Sequence, residues 1–168
     1  MTQTLGLEEA LDVAMHAELK AQAFYAQAAT QIQDPGGRDL LSRLAAFEQY
    51  HYQKLSELAR SLEQDGTYIA YEAQTMAGVE PFKGAGEASG TRLEEMENEA
   101  AILGKAIENE KAAHERYKVL ADQTEDEDGQ AMFQQLAQEE QMHQRILEDE
   151  FFSLSNQGVW GWSGMYGE

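Results

Sequence analysis

Apolar residues recur at intervals of three, four, seven and eleven along four stretches of the chain. The first contains Leu11, Ala14, Ala21 and Tyr25, the second Leu41, Leu44, Leu55 and Leu58, the third Leu103, Ala106, Ala113 and Tyr117, and the fourth Phe133, Leu136 and Leu147. That is the helical period, and the residues between them are mostly Ala, Gln and Glu, which lose little side-chain freedom in a helix. The pattern predicts an all-α protein with helices at about 6–33, 38–63, 92–122 and 129–151. Asp34-Pro35-Gly36-Gly37 and the run from Thr124 to Gly129 have turn chemistry, because Pro fixes φ and Gly frees it, so each joins its flanking helices into an antiparallel hairpin. A single domain over 1–168 follows: hairpin 1 at about 6–63, a crossover at about 65–90, hairpin 2 at about 92–151, and a tail, 152–168. The crossover holds Pro81 and several glycines, and at about 3.3 Å per residue it is long enough to run the length of a bundle. Phe151, Phe152, Trp160, Trp162 and Tyr166 make the end of the chain too apolar to stay free, and predict docking on this bundle or on a partner.

The two hairpins are versions of one sequence. Shifting the chain by 92 residues aligns AMHAELKAQAFY with AIENEKAAHERY and RLAAFEQYHYQKL with QLAQEEQMHQRIL without a gap. Packing alone would repeat only apolar positions, so the polar identities are informative: Glu18 with Glu110, Glu48 with Glu140, His51 with His143, and Tyr25 with Tyr117. Glu48 and His51 fall inside the apolar stripe of the second helix, and Glu140 and His143 inside that of the fourth. Glu18 lies among Leu11, Ala14, Ala21 and Tyr25, and Glu110 among Leu103, Ala106, Ala113 and Tyr117. At about 1.5 Å rise per residue, all six side chains come to similar heights near mid-bundle.

Four carboxylates and two imidazoles in one interior need compensation, because an unpaired buried carboxylate costs several kcal/mol even after relaxation. No core-facing Lys or Arg repeats to supply it. Two divalent cations would set +4 against −4, with neutral imidazoles as nitrogen ligands; protonation is the alternative. Each Glu-x-x-His places both side chains on neighbouring turns of one face, within reach of a single ion. One such motif in so glutamate-rich a chain means little, but two in register, each 30 residues after a core-facing Glu, point to a dinuclear site.

Composition narrows the chemistry further. No residue is cysteine, which excludes disulfides, thiol nucleophiles, Cys-ligated zinc and iron–sulfur centres. With 12 Lys and Arg against 31 Asp and Glu, the formal charge is −19, which repels nucleic acid and anionic lipid and draws in small cations. No stretch approaches the roughly 18 apolar residues of a membrane helix, and the first residues lack a basic, then apolar leader, so a cytoplasmic protein with no membrane contact is expected.

These residues resemble the ferritin-like di-iron carboxylate proteins, most closely the rubrerythrin-like branch, over about residues 6–151. That family takes one Glu from each of two helices and Glu-x-x-His from each of the other two. The resemblance implies a ferritin-like four-helix bundle with a long crossover between helices 2 and 3, often dimeric. It makes Glu18 and Glu110 terminal ligands, Glu48 and Glu140 bridging ligands, and His51 and His143 one nitrogen ligand for each of two iron ions, with zinc or manganese as possible substitutes. It further implies reaction with dioxygen or hydrogen peroxide, of ferroxidase or peroxide-reducing type. Two departures matter. A chain without cysteine cannot carry the family's rubredoxin-like domain, so electrons must come from a separate donor protein or from iron itself. The branch's additional third-helix glutamate is also missing, since the positions three before and three after Glu110 are Ile107 and Ala113.

The functional expectation is therefore a di-iron oxidoreductase acting through those six residues. The alternatives are a non-catalytic iron-binding or buffering protein, and a bundle whose dinuclear metal is structural. A homodimer is expected, and the long crossover allows hairpins to be exchanged between chains. Of the other polar residues, His16 lies far round its helix from Glu18 and is read as a non-ligand. His114 is either an accessory ligand or a hydrogen-bonded, half-buried histidine. Tyr25 and Tyr117 either hydrogen-bond ligands or relay electrons, or simply pack with satisfied hydroxyls.

Overall fold

The computed structural model describes residues 6–82 and 99–162. Within them the chain forms α1 (Leu7–Gln31), α2 (Pro35–Gln64), a single 3₁₀ turn (Met76–Gly78), α3 (Glu99–Gln123) and α4 (Glu127–Gln157). α1 packs on α2 and α3 on α4, giving two hairpins joined by the long connection, the ferritin-like bundle. The expected start of the third helix at 92, the end of the crossover and Tyr166 lie outside the described residues.

The two inter-helix breaks are tighter than their turn chemistry suggests, because each doubles as a helix cap. Asp34 accepts a hydrogen bond from the Gly37 N–H at 2.8 Å and Asp126 one from Gly129 at 3.0 Å, satisfying amides left free by the first turn. Pro35 follows its cap at the first helical position, where its missing N–H costs nothing. α2 and α4 therefore begin at 35 and 127, ahead of the expected 38 and 129. α4 also continues past the expected end at 151, taking up the first residues of the expected tail, and stops at Gly158, whose φ of 71° suits a left-handed C-cap.

The capping glycines are also contact points for the non-repeating segments. A Cβ on Gly37 would meet the Trp160 ring at 2.8 Å, and one on Gly129 would collide with the Tyr68 ring. The tail thus covers one turn of the bundle and the crossover covers the other. Trp160 and Trp162 donate from their indole N–H groups to Glu99 at 2.7 Å and Asp39 at 2.9 Å, and the Gly161 amide donates to the buried Glu150 at 2.8 Å. The tail aromatics Trp160 and Trp162 dock on their own bundle, whereas Phe152 remains 64% exposed.

The crossover runs back along α2. Tyr50 donates to the Glu72 carbonyl, Arg43 to the Met76 and Val79 carbonyls, and the Phe82 amide to the Ser42 carbonyl. Two apolar clusters result, one around Phe24, Leu44, Leu103 and Leu147, the other around Leu11, Leu58, Tyr117 and Phe133. On every helix the residues that separate these clusters are the polar ones of the repeat: Glu18, Glu48 with His51, Glu110, and Glu140 with His143.

Candidate metal centre

All six predicted site residues are brought together and none is more than 2% exposed. Their donor atoms form two overlapping sets, Glu18, Glu48, His51 and Glu140, and Glu48, Glu110, Glu140 and His143, each with its atoms within 4.8 Å of one another. Glu48 and Glu140 belong to both sets, whereas Glu18 and Glu110 each belong to one. His51 Nδ1 lies 2.7 Å from Glu140 Oε1, 3.5 Å from Glu18 Oε1 and 3.8 Å from Glu48 Oε2. His143 Nδ1 lies 3.8 Å from both Glu48 Oε1 and Glu110 Oε1.

Apart from the His51–Glu140 ion pair, these atoms are close without the geometry of hydrogen bonds. Glu18 Oε2, Glu48 Oε1, His51 Nδ1, Glu110 Oε2, Glu140 Oε1 and His143 Nδ1 are buried and lack a hydrogen-bond partner, one atom from each of the six residues. Native interiors rarely leave such groups unpaired. Two atoms bound to one ion at about 2.0–2.2 Å stand roughly 3 Å apart at a right angle, so the spacing fits donors aimed at a common third atom. The set of carboxylate oxygens and imidazole nitrogens suits Fe, Mn or Zn.

Electrostatics tells the same story in protons. Burial raises Glu48 well above the usual carboxylate range, with Glu18 and Glu110 adding to it. Glu110 rises for the same reason, with Glu140 beside it, and Glu140 is pushed up to about 7 by burial, Glu48 and Glu18. Burial also raises Glu18, but Glu48, His51 and Tyr117 outweigh it and hold that carboxyl below its ordinary value. Burial would lower His51, yet Glu18 and Glu140 carry it well above normal; His143, with burial and the neighbouring His51 both opposing its charge, is held down to about 3. Without metal, protons hold down the negative charge that two divalent cations would offset.

Around the six, the hairpins are cross-linked reciprocally. Tyr25 of α1 donates to Glu110 of α3 at 2.6 Å, and Tyr117 of α3 donates to Glu18 of α1. The expectation that these tyrosines hydrogen-bond the clustered carboxylates describes their geometry. His114 donates from Nδ1 to the Ala137 carbonyl at 2.7 Å, the half-buried, hydrogen-bonded alternative. His16 is exposed and donates to the Asp12 carbonyl of its own helix.

Sequence reasoning missed Glu139. It is 6% exposed and accepts hydrogen bonds from the Tyr71 hydroxyl at 2.6 Å and the Gln74 amide at 2.9 Å, with His51 Nε2 at 3.2 Å. A carboxylate only accepts, so it holds a proton on Nε2 and leaves Nδ1 facing the cluster. At its repeat position stands Phe47, whose ring meets the His143 ring edge-on with centroids 4.4 Å apart. The Phe47 ring also meets His51 edge-on, with centroids 5.7 Å apart, so what distinguishes the two imidazoles is the carboxylate, tied to the crossover, that fixes His51 alone.

Comparison with known proteins follows that geometry. Residues 101–158 match the family model described as Rubrerythrin. Over that third of its length the chain is similar to rubrerythrins. The match spans most of α3 and all of α4, with their Glu110, Glu140 and His143; Glu18, Glu48 and His51 are joined to this matched segment by the repeat and by their convergence on it. No curated protein matches. A solved structure, "Hypothetical Protein Pfu-1136390-001" from Pyrococcus furiosus, is similar with a TM-score of 0.69 at 24% identity, over 93% of this chain and 94% of that one, a likeness of fold. Unlike a rubrerythrin with a rubredoxin-like domain, the chain has no cysteine to build one, and no helix among the described residues is long and apolar enough to cross a membrane.

Proposed function

We propose that this protein is a di-iron carboxylate oxidoreductase that reacts with dioxygen or hydrogen peroxide. The observation carrying this reading is the pair of Glu/His sets that share Glu48 and Glu140, with one buried polar atom on each of the six residues that makes no hydrogen bond. Glu18 and His51 would complete one metal position and Glu110 and His143 the other, with Glu48 and Glu140 common to both. When bound, a ferrous pair supplies two electrons, enough to reduce dioxygen to peroxide or peroxide to water with two protons.

The chain's own residues prepare that chemistry by position and charge. Four carboxylates favour the more highly charged, oxidised ions. Tyr25 and Tyr117 each fix one carboxylate oxygen, on Glu110 and Glu18, which leaves the second oxygen of each free to bind. Leu44, Phe47 and Leu136 pack on the same faces as the ligand positions and keep bulk water from their far side. With no cysteine in this chain to hold a second redox centre, reducing equivalents would come from a separate donor protein or from iron itself.

The test is an anaerobic Fe(II) titration of the metal-free protein, followed by addition of dioxygen or, separately, peroxide. Two irons per chain and a rapid ferric absorption band support the oxidoreductase, and the faster oxidant identifies the substrate. Two irons with no rapid oxidation favour buffering or a structural role, and the absence of stoichiometric binding refutes the dinuclear reading.

A further inference from the structure

The candidate centre is reached from outside by a cleft of about 600 Å3. It opens between α1 and α3, which touch sparsely while each packs closely on its hairpin mate. Glu18, Glu48, Glu110 and Glu140 line its floor. Such a volume far exceeds what dioxygen or peroxide needs and falls within the roughly 300–1,000 Å3 of clefts that hold organic ligands.

The lining is amphipathic. Val13, Ala17 and Phe24 give it apolar wall, and Lys20, Lys105 and Arg116 bring positive charge to it. Three cations round one opening are a concentration in a chain with 12 basic residues against 31 acidic ones. Lys54, Lys118 and Arg43 pair with acids on their own helices, whereas Lys20, Lys105 and Arg116 take part in no salt bridge or hydrogen bond among the described residues. Besides the floor carboxylates, the only acid among the described lining residues is Asp12. The repeat sharpens this: the partners of Lys20, Lys105 and Arg116 at the 92-residue shift are Ala112, Val13 and Phe24, which also line the cleft. At each of these three positions one hairpin supplies a cation and the other an apolar surface.

We propose that the cleft binds a small organic anion, a carboxylate or phosphate on an apolar body. Lys105 and Arg116 lie about 16 Å apart along α3, so the charged group pairs at one end of this cationic lining while Lys20, Lys105 and Arg116 together set its field, and the body lies along Val13, Ala17 and Phe24 toward Glu18 and Glu110. The inference rests on the dinuclear reading, because two divalent cations neutralise the four floor carboxylates and leave the cationic lining to set the local field. It gives the cleft a selectivity that the gaseous or peroxidic oxidant does not require.

The test uses protein loaded with redox-inert Zn(II), its zinc content measured first. Benzoate, phenyl phosphate, benzyl alcohol and benzylamine, four probes with similar bodies and different head groups, are then titrated and followed by calorimetry and by amide NMR shifts along α1 and α3. Benzoate or phenyl phosphate should bind about tenfold or more tightly than benzyl alcohol, more weakly as salt is raised, and benzylamine should not bind. The ratio of the two anions distinguishes a carboxylate from a phosphate ligand. Charge reversal in Lys105→Glu/Arg116→Glu should weaken the preferred anion about tenfold or more while zinc content stays the same. Equal binding of benzoate, phenyl phosphate and benzyl alcohol, or anion affinity unchanged by charge reversal, overturns the proposal on a fully loaded protein. Fewer than two zinc ions per chain, seen before any probe is added, takes down the dinuclear reading and this proposal with it.

Discussion

Replacing Glu139 by Gln should make the two metal positions respond differently. The substitution keeps the side chain's shape but replaces one acceptor oxygen with an N–H donor. The three hydrogen atoms converging on this carboxylate come from Tyr71, Gln74 and His51. If the amide oxygen stays with the Gln74 N–H, the amide nitrogen faces His51 Nε2, which must then accept, and the imidazole proton moves to Nδ1, the atom needed by the metal. If the amide flips, its N–H opposes that of Gln74. Loss of such a partner behind a metal-binding histidine costs about 10–100-fold in affinity, or about 1.4–2.7 kcal/mol. That loss should fall on the position built from Glu18, Glu48, His51 and Glu140, because the carboxylate fixes His51 alone. Co(II) titration read by its ligand-field bands, in competition with a chromophoric chelator, resolves two constants. One should drop by that factor and the other change by less than about threefold. Equal losses in both constants, or none, would refute the assignment of Glu139 to His51.

Glu140 is common to both sets, so Glu140→Ala should remove at least one metal ion from the stoichiometry; two ions retained would show that the site is drawn wrongly. Tyr25→Phe removes a hydroxyl donating to a buried carboxylate and should lower the stability of the metal-free protein by about 1.5–3 kcal/mol, read as a shifted urea midpoint with unchanged slope. The pH dependence should reverse with metal. In the metal-free protein Glu140 rises from 4.5 to about 7, so its contribution, on the order of 3 kcal/mol, is complete below 4.5 and is lost as pH rises through 7. His143 falls from 6.5 to about 3, so its contribution is present above 6.5 and is lost on acidification toward 3. Above 6.5 only the falling contributions remain, Glu48, Glu110 and His51 among them, so the metal-free Tm should decline from about pH 6.5 to 8.5. The metal-loaded Tm should rise over the same range because the ligands must shed protons to bind; parallel curves would contradict this.

Much of the bundle was legible because it depends on period alone. Leu11 to Tyr25 and Leu103 to Tyr117 carry one stripe each, and a polar residue inside a stripe must face the core wherever the helix goes. The cluster was legible for the same reason, doubled by the repeat. Helix ends were less so: Asp34 and Asp126 read as turn residues and as N-caps with equal justice, and only the hydrogen bonds to Gly37 and Gly129 separate the two. Phe151 and Phe152 looked like the beginning of a docked tail but belong to α4, which needed Gly158 to stop it. Glu139 satisfied helical spacing, three after Leu136 and four before His143, yet repetition was the filter and its partner is Phe47. The cleft had no sequence signal, since it arises from the distance between α1 and α3.

Those omissions share a cause that bears on how the protein works. Each metal position requires the same donors, so Glu18, Glu48 and His51 have their counterparts in Glu110, Glu140 and His143, and symmetry holds where one change would disable an ion. One step further out the constraint still holds for Tyr25 and Tyr117, which hydrogen-bond equivalent carboxylates, and lapses elsewhere. There the halves differ: Glu139 against Phe47 behind the imidazoles, Lys20 against Ala112 and Arg116 against Phe24 along the cleft, Tyr68 against Trp160 over the turns. A symmetric interior offers two equivalent donor sets. The asymmetric surroundings make the two positions unequal and decide what reaches them, so variants in this outer layer should separate metal loading from selectivity, whereas variants of the six ligands abolish both.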